Sequence, residues 1–202
     1  HASIRGGRWT VDLARPAPRL QGKLYGLFGF GNIAQQVAKR MQAFGLEIMA
    51  FDPYVPAEVL VAQRVRRAAT LDELLRTVDF LSVHAPLTAE TQGILNATTL
   101  GLMKPTAVLV NTSRGPIVNQ ADLLVALREG KLAGAGLDVL TDEPPMFPLP
   151  LAELDNVVLT PHTAWYSDEA MPELRRKAAQ EVARTLTKGR PKFWVNQWAF
   201  SE

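Results

Sequence analysis

The chain has 202 residues, 47% of them hydrophobic and 21% charged, which fits one ordinary globular domain with a substantial core. Its 22 basic and 20 acidic residues leave a net charge of only +2, too small an imbalance for a nucleic-acid-binding surface. The lack of cysteine excludes disulfides and thiolate metal sites, and no apolar run approaches bilayer length, so a cytoplasmic setting without nucleic acid or membrane as direct partner is expected.

The chain opens HASIRGGRWT, with neither an initiator Met nor the charged and apolar regions of a signal peptide, and reads as a fragment or a chain starting internally. After the proline-containing leader ARPAPRLQGK, a first strand is expected over Leu24–Phe28. Residues 33–44 follow with Ile33, Val37, Met41 and Phe44 at helical spacing as one apolar stripe, and Gly45 terminates them. Strands are then expected over Glu47–Phe51, briefly near Val65, over Phe80–Val83 and over residues 107–110. A helix over residues 120–129 is capped by Asn119 and stopped by Gly130, with Leu123, Leu124 and Leu127 facing inward. Strands at Gly134–Leu137 and Val157–Leu159 precede a last helix within residues 168–188, whose start Pro172 complicates.

Short β-rich runs alternating with helical segments are the pattern of an α/β fold, a doubly wound parallel sheet. One domain is expected over residues 1–190, followed by a tail over 191–202, and no internal repeat is visible.

The sharpest local signal is GLFGFGNIAQQV, in which Gly29, Gly31 and Ala34 form G-x-G-x-x-A after a strand and at the start of a helix. About 20 residues further on, Asp52 in IMAFDP ends the next strand, as a dinucleotide-binding unit requires. Gly29 permits the tight turn, Gly31 lets backbone approach a pyrophosphate, and the amides of Asn32 and Ile33 at the helix start receive the phosphates. Asp52 accepts from the adenosine ribose hydroxyls and repels a 2′-phosphate, which favours NAD over NADP.

In VLVNTSRGPIV an apolar run ends in Asn111, Thr112, Ser113 and Arg114, and a guanidinium at the end of a buried strand is costly unless paired. Other expected strands also run into polar residues: Asp52, His84, Asp138 and His162. In a parallel sheet these ends share the edge outside which ligands bind, so Arg114 belongs to a site. Arg114, Glu143 and His162 supply an anion clamp, a carboxylate and a proton donor or acceptor. His84 in VHAPLT fits a structural residue as well as one near the cofactor, and Glu143 alone fits a loop carboxylate. No His, Asp and Glu spacing suits a metal, and no Ser-His-Asp arrangement is visible.

At these residues the sequence resembles the D-isomer-specific 2-hydroxyacid dehydrogenases, a family that includes phosphoglycerate dehydrogenases, glyoxylate reductases and the C-terminal-binding-protein corepressors. The resemblance rests on GLFGFGNIA with FDP, then VHAPLTAET, LMKPTAVLVNTSRGPIVN, GAGLDVLTDEPP and NVVLTPHTAW, in the family's order. It implies that Arg114 binds the carboxylate and carbonyl region of a small 2-oxo or 2-hydroxy acid. His162 is then the general acid and base, and Glu143 orients it and favours its protonated form. Asp138 and the Asn111 to Ser113 segment, Thr112 included, fall beside NAD. The implied activity is hydride transfer between NADH and a 2-oxo acid, in a homodimer. Family members carry a further substrate-binding domain, built largely from residues ahead of those matched here, so the chain is expected to be a cofactor half. The corepressor-like alternative, an NAD-binding regulator with little turnover, is kept open by Trp165 close after His162. Formate dehydrogenases fit less well, because their histidine pairs with glutamine where Glu143 stands.

Overall fold

The computed structural model describes residues 2–14 and 17–192. Two compact units divide the chain, His1–Pro161 and His162–Glu202.

In the first unit, seven strands form one all-parallel sheet in the order β3-β2-β1-β4-β5-β6-β7. They are β1 (Leu24–Phe28), β2 (Glu47–Phe51), β3 (Arg66–Arg67), β4 (Phe80–Val83), β5 (Val108–Asn111), β6 (Gly134–Leu137) and β7 (Val157–Leu159). Every residue of β1 is buried, as expected of a central strand covered on both faces. Its alternate side chains divide between two cores. Leu24 and Phe28 pack with Leu71, Leu74 and Leu75 of helix α4 (Leu71–Thr77) and with Leu123 and Leu127 of α6 (Gln120–Arg128). Tyr25 and Leu27 pack with Ala34 and Ala38 of α2 (Asn32–Ala43) and Leu60 of α3 (Ala57–Ala62). The remaining short helices are α1 (Ala2–Arg5) and α5 (Ala97–Leu100).

The expected strands are all present, β5 displaced by one residue, and the weak run near Val65 becomes the two-residue β3. Two packing expectations are corrected. On α2 the buried residues are Ala34 and Ala38, flanked by Val37 and Met41, whereas Ile33 and Phe44 are 71% and 62% exposed. Small side chains let the helix lie close on the sheet, which moves the buried face away from the bulky stripe. On α6, Leu123 and Leu127 are buried with Ala126, and Leu124 is only half-buried. Asn119 caps α6 as expected, accepting from the N–H groups of Ala121 and Asp122 at 3.1 and 3.2 Å.

The second unit is described from His162 to Lys192. Its helix α7 (Ala170–Lys188) ends at Gly189, whose φ of 77° lets the chain turn left-handed. Pro172 is its third residue, within the first turn where no intrahelical N–H bond is lost. Of the expected tail, residues 193–202 lie outside the described residues.

Candidate active site

The carboxyl edge of the sheet collects the first unit's polar strand ends. β1 turns into α2 through Gly29, whose φ is 90° and whose added Cβ would lie 2.7 Å from the Ala85 nitrogen and 2.8 Å from the His84 carbonyl carbon. The conformation and this close approach both require glycine. Gly31 differs, because a Cβ there meets nothing within 4 Å. It caps α2 without a side-chain acceptor, and Gly31, Asn32 and Ile33 are all exposed. The first-turn amides of a 12-residue helix therefore face open space, the arrangement that suits a phosphate.

Asp52 follows β2, and its carboxylate is tied to this turn: Oδ2 accepts from the Phe30 N–H at 2.8 Å, and Oδ1 from the N–H groups of Tyr54 and Val55 at 2.9 and 3.1 Å. Each carboxylate oxygen has further acceptor capacity, which leaves room for a ribose hydroxyl. These residues fit a dinucleotide, with the phosphates at the start of α2 and a ribose at Asp52.

His84 follows β4, beside β1, and its N–H donates to the Phe28 carbonyl at 2.7 Å. Burial pushes its imidazole down to about 4, so the ring is neutral at neutral pH. Its Nε2 lies 2.9 Å from Ser82 Oγ. At the end of β5, Asn111 is 1% exposed, and its side chain accepts from the Ser113 N–H and donates to the Arg114 carbonyl, both at 3.0 Å. Ser113 Oγ donates to the Ala85 carbonyl at 2.6 Å, joining the loops after β4 and β5. Asp138, after β6, is 5% exposed and accepts from the Thr160 hydroxyl.

Arg114 corrects the premise that drew attention to it. β5 ends at Asn111, Arg114 stands in the following loop and is exposed, and its guanidinium donates to the Ser113 carbonyl at 2.7 Å. No desolvation cost needs repayment, and among the described residues no carboxylate forms an ion pair with it. Thr112 is exposed beside it. Glu143 lies in the loop after β6, exposed, with Oε1 accepting from the Leu140 N–H at 2.9 Å.

The sheet edge thus brings together Gly29, Gly31, Asn32, Ile33, Asp52, His84, Asn111 and Asp138, with Thr112, Arg114 and Glu143 in the loops that leave it. His162 opens the second unit, half-buried and with a φ of 53°, a left-handed conformation that costs a non-glycine residue about 1–2 kcal/mol. Close after it, the exposed Trp165 and Tyr166 meet edge-on with ring centroids 5.6 Å apart. A cavity of about 540 Å³ lies apart from the glycine turn, between Pro116 and Leu124 on one side and Thr141 and Leu151 on the other.

Sequence reasoning passed over Ser82 and Thr160, which hold His84 and Asp138, whereas Ser113, expected beside the cofactor, holds the Arg114 loop. Only Ser82 was within reach, since it stands two residues before His84 and residues two apart on a strand share a face. Gly115 was also missed: a Cβ there would fall 1.9 Å from the Leu140 carbonyl oxygen.

Comparison with known proteins agrees with this geometry. Residues 1–164 match the model of the D-isomer specific 2-hydroxyacid dehydrogenase NAD binding domain. The chain is 39% identical to D-3-phosphoglycerate dehydrogenase of Methanocaldococcus jannaschii over 185 residues, 92% of this chain and 35% of the relative. It is also 39% identical to glyoxylate reductase of Thermofilum pendens over 197 residues, 96% of this chain and 58% of the relative. The solved structure of D-lactate dehydrogenase with NAD+ from Lactobacillus jensenii superposes with a TM-score of 0.85 at 28% identity, over 97% of this chain and 62% of that one. The chain therefore spans from about a third to three fifths of the length of these relatives. It belongs to the D-isomer specific 2-hydroxyacid dehydrogenase family, as that family's NAD-binding domain.

Proposed function

We propose that this chain is the cofactor half of an oxidoreductase that interconverts a small 2-oxo acid and a D-2-hydroxy acid. The observation that carries the reading is the pairing, on one sheet edge, of an open helix start at Gly31 with an exposed arginine that no carboxylate of the described residues holds in an ion pair. When bound, NADH supplies the hydride that reduces the carbonyl carbon. The amides of Asn32 and Ile33 hold its phosphates and Asp52 accepts from its ribose, while His84, Asn111, Thr112 and Asp138 line the rest of its path. Arg114 receives the substrate carboxylate through its planar fork and stabilises negative charge on the reacting oxygen. His162 gives a proton to that oxygen and withdraws it in the reverse direction, and Glu143 orients His162.

The relatives' names, among them a glyoxylate reductase and a hydroxypyruvate reductase, support substrates of this size. A homodimer in a cytoplasmic setting belongs to the same reading, and the exposure of Ile4, Trp9 and Val11, ahead of the proline-containing leader, supports self-association. The test is NADH oxidation followed against a panel of 2-oxo acids, with the chain joined to the rest of its open reading frame. Turnover that falls at least a hundredfold in His162→Ala with little change in NADH affinity supports the reading. Tight NADH binding without turnover of any acid would favour the corepressor-like alternative.

A further inference from the structure

β3 is the outermost strand of the sheet, beside β2, and both of its residues, Arg66 and Arg67, are exposed. Charged side chains on an edge strand guard it against pairing with another sheet, a role that either arginine fills equally well. Their surroundings differ.

In register with β2, Arg66 stands opposite Met49 and Arg67 opposite Ala50. Met49 belongs to the core under α4 and α6 and Ala50 to the core under α2 and α3, so the two arginines leave the sheet on opposite faces. Arg67 takes the face of Asp52. That residue lies two positions past Ala50, and its Oδ2 accepts from the N–H of Phe30, a member of the same core.

The Arg67 guanidinium reaches the loop after β2, where Nη2 donates to the Asp52 carbonyl oxygen at 3.4 Å, the long end of the hydrogen-bond range. Such a bond is easily given up. Among the described residues the guanidinium makes no other hydrogen bond, and no carboxylate of those residues holds it in an ion pair. Most of its N–H groups are therefore left for a ligand.

Asp52 alone repels a 2′-phosphate, but its carboxylate already accepts from the N–H groups of Phe30, Tyr54 and Val55, which answer part of its charge. With Arg67 alongside, the formal charges of the two side chains cancel, and a phosphate beside them meets no net repulsion. A ribose whose 2′-hydroxyl faces Asp52 carries, in the phosphorylated dinucleotide, its extra phosphate on that same carbon. Phosphate is also the anion that a planar guanidinium takes with two hydrogen bonds.

We propose that Arg67 is a specificity-determining residue that receives the 2′-phosphate of NADPH, so that the site binds NADPH alongside NADH and the preference that Asp52 alone implies is largely offset. The proposal rests on the NAD reading for its site and goes beyond it in the second cofactor. Arg66, with the same charge on the opposite face, takes no part.

The experiment is calorimetric titration of NADH and of NADPH into the chain joined to the rest of its open reading frame, without substrate. In the parent protein the two affinities should lie within about tenfold of each other. Arg67→Ala should weaken NADPH about tenfold or more, the worth of a charge-assisted hydrogen bond, and change NADH less than about twofold. Arg66→Ala, which removes the same charge, should leave both affinities as they are. A parent protein that binds NADPH more than about tenfold more weakly than NADH overturns the proposal, and so does an Arg67→Ala protein with the parental ratio of affinities. Equal losses of both cofactors in Arg67→Ala would make Arg67 a support of the Asp52 loop, and equal losses of NADPH in the two alanine variants would make the effect one of general charge; either result overturns the proposal. Should Arg67→Ala fail to fold, Arg67→Gln, which keeps much of the side chain without its charge, decides by the same ratio. A parent protein that binds neither dinucleotide instead defeats the NAD reading.

Discussion

The two edges of the sheet treat charge in opposite ways. At the amino edge, Asp79 just before β4 accepts from the Leu24 N–H at 2.9 Å and from Lys104 at 3.1 Å, with Lys23 at 3.8 Å. Its own backbone bonds to Leu24 and Val108, so a single residue ties the starts of β1, β4 and β5. At the carboxyl edge the backbone is packed as tightly, but Gly31 leaves space at a helix start and Arg114 has no carboxylate of the described residues in an ion pair. One edge spends its charges on the fold. The other holds its loops by backbone contacts, neutral side chains and carboxylates that accept from backbone N–H groups, as at Asp52 and Glu143, and leaves the Arg114 guanidinium for a ligand.

The largest effect on stability is expected where that backbone packing is closest. Gly115→Ala places a methyl group 1.9 Å from the Leu140 carbonyl oxygen, with no side chain that could move aside. It should cost about 3 kcal/mol or more in chemical denaturation, or prevent folding. A cost under about 0.5 kcal/mol would mean that the loops after β5 and β6 are not rigidly joined.

A nearly equal effect is expected from pH at His84. Its folded pKa of about 4 lies below the unfolded value of 6.5, so the unfolded chain binds the proton first as pH falls. Stability is therefore full above pH 6.5 and declines towards pH 4, by at most about 3 kcal/mol. His84→Gln should flatten the denaturation midpoint across that window, and an unchanged slope would assign the decline to other groups.

How much of the two edges could be read in advance follows from the range of the interactions. Strand ends were legible because β-rich runs stop at polar residues, and Asp52, His84, Asn111 and Asp138 need only a parallel sheet to share an edge. The motif around Gly29 and Gly31 is legible because its turn, helix start and close packing are local. Helix α4 was legible and passed over: Thr70 caps it by accepting from the Glu73 N–H and Glu73 reaches back to the Ala69 N–H, with Leu71, Leu74 and Leu75 at helical spacing. Gly115 and Asp79 were not legible, since their partners Leu140, Lys104 and Lys23 are distant in sequence and meet only through the strand order. The exposed Ile33 and Phe44 mark the limit of periodicity, which finds a helix but not which face a flat sheet will accept.

A smaller loss is expected at the amino edge. Burial alone would raise the Asp79 carboxyl, but the Leu24 N–H, Lys104 and Lys23 together bring it below the usual aspartate value. A depressed folded pKa means that its stabilisation is present above the unfolded pKa and is lost as pH falls through the folded value. Asp79→Ala should cost about 1–2 kcal/mol at neutral pH and leave NADH affinity unchanged. Weakened NADH binding in a folded Asp79→Ala protein would show that the two edges are coupled.

The smallest effect on the fold, and the sharpest division between the edges, is expected at Arg114. Its guanidinium is exposed and makes one bond to the adjacent Ser113 carbonyl, so Arg114→Met should change stability by no more than about 0.5 kcal/mol and leave NADH binding intact. In the turnover assay the same change should lower kcat/KM for 2-oxo acids by at least about a hundredfold, because the substrate carboxylate loses a charge-assisted pair of hydrogen bonds. Arg114→Lys should recover only part of that loss, since an ammonium keeps the charge without the planar fork. The opposite pattern, a large drop in the denaturation midpoint with kinetics nearly intact, would make Arg114 a structural residue like Asp79 and erase the difference between the two edges.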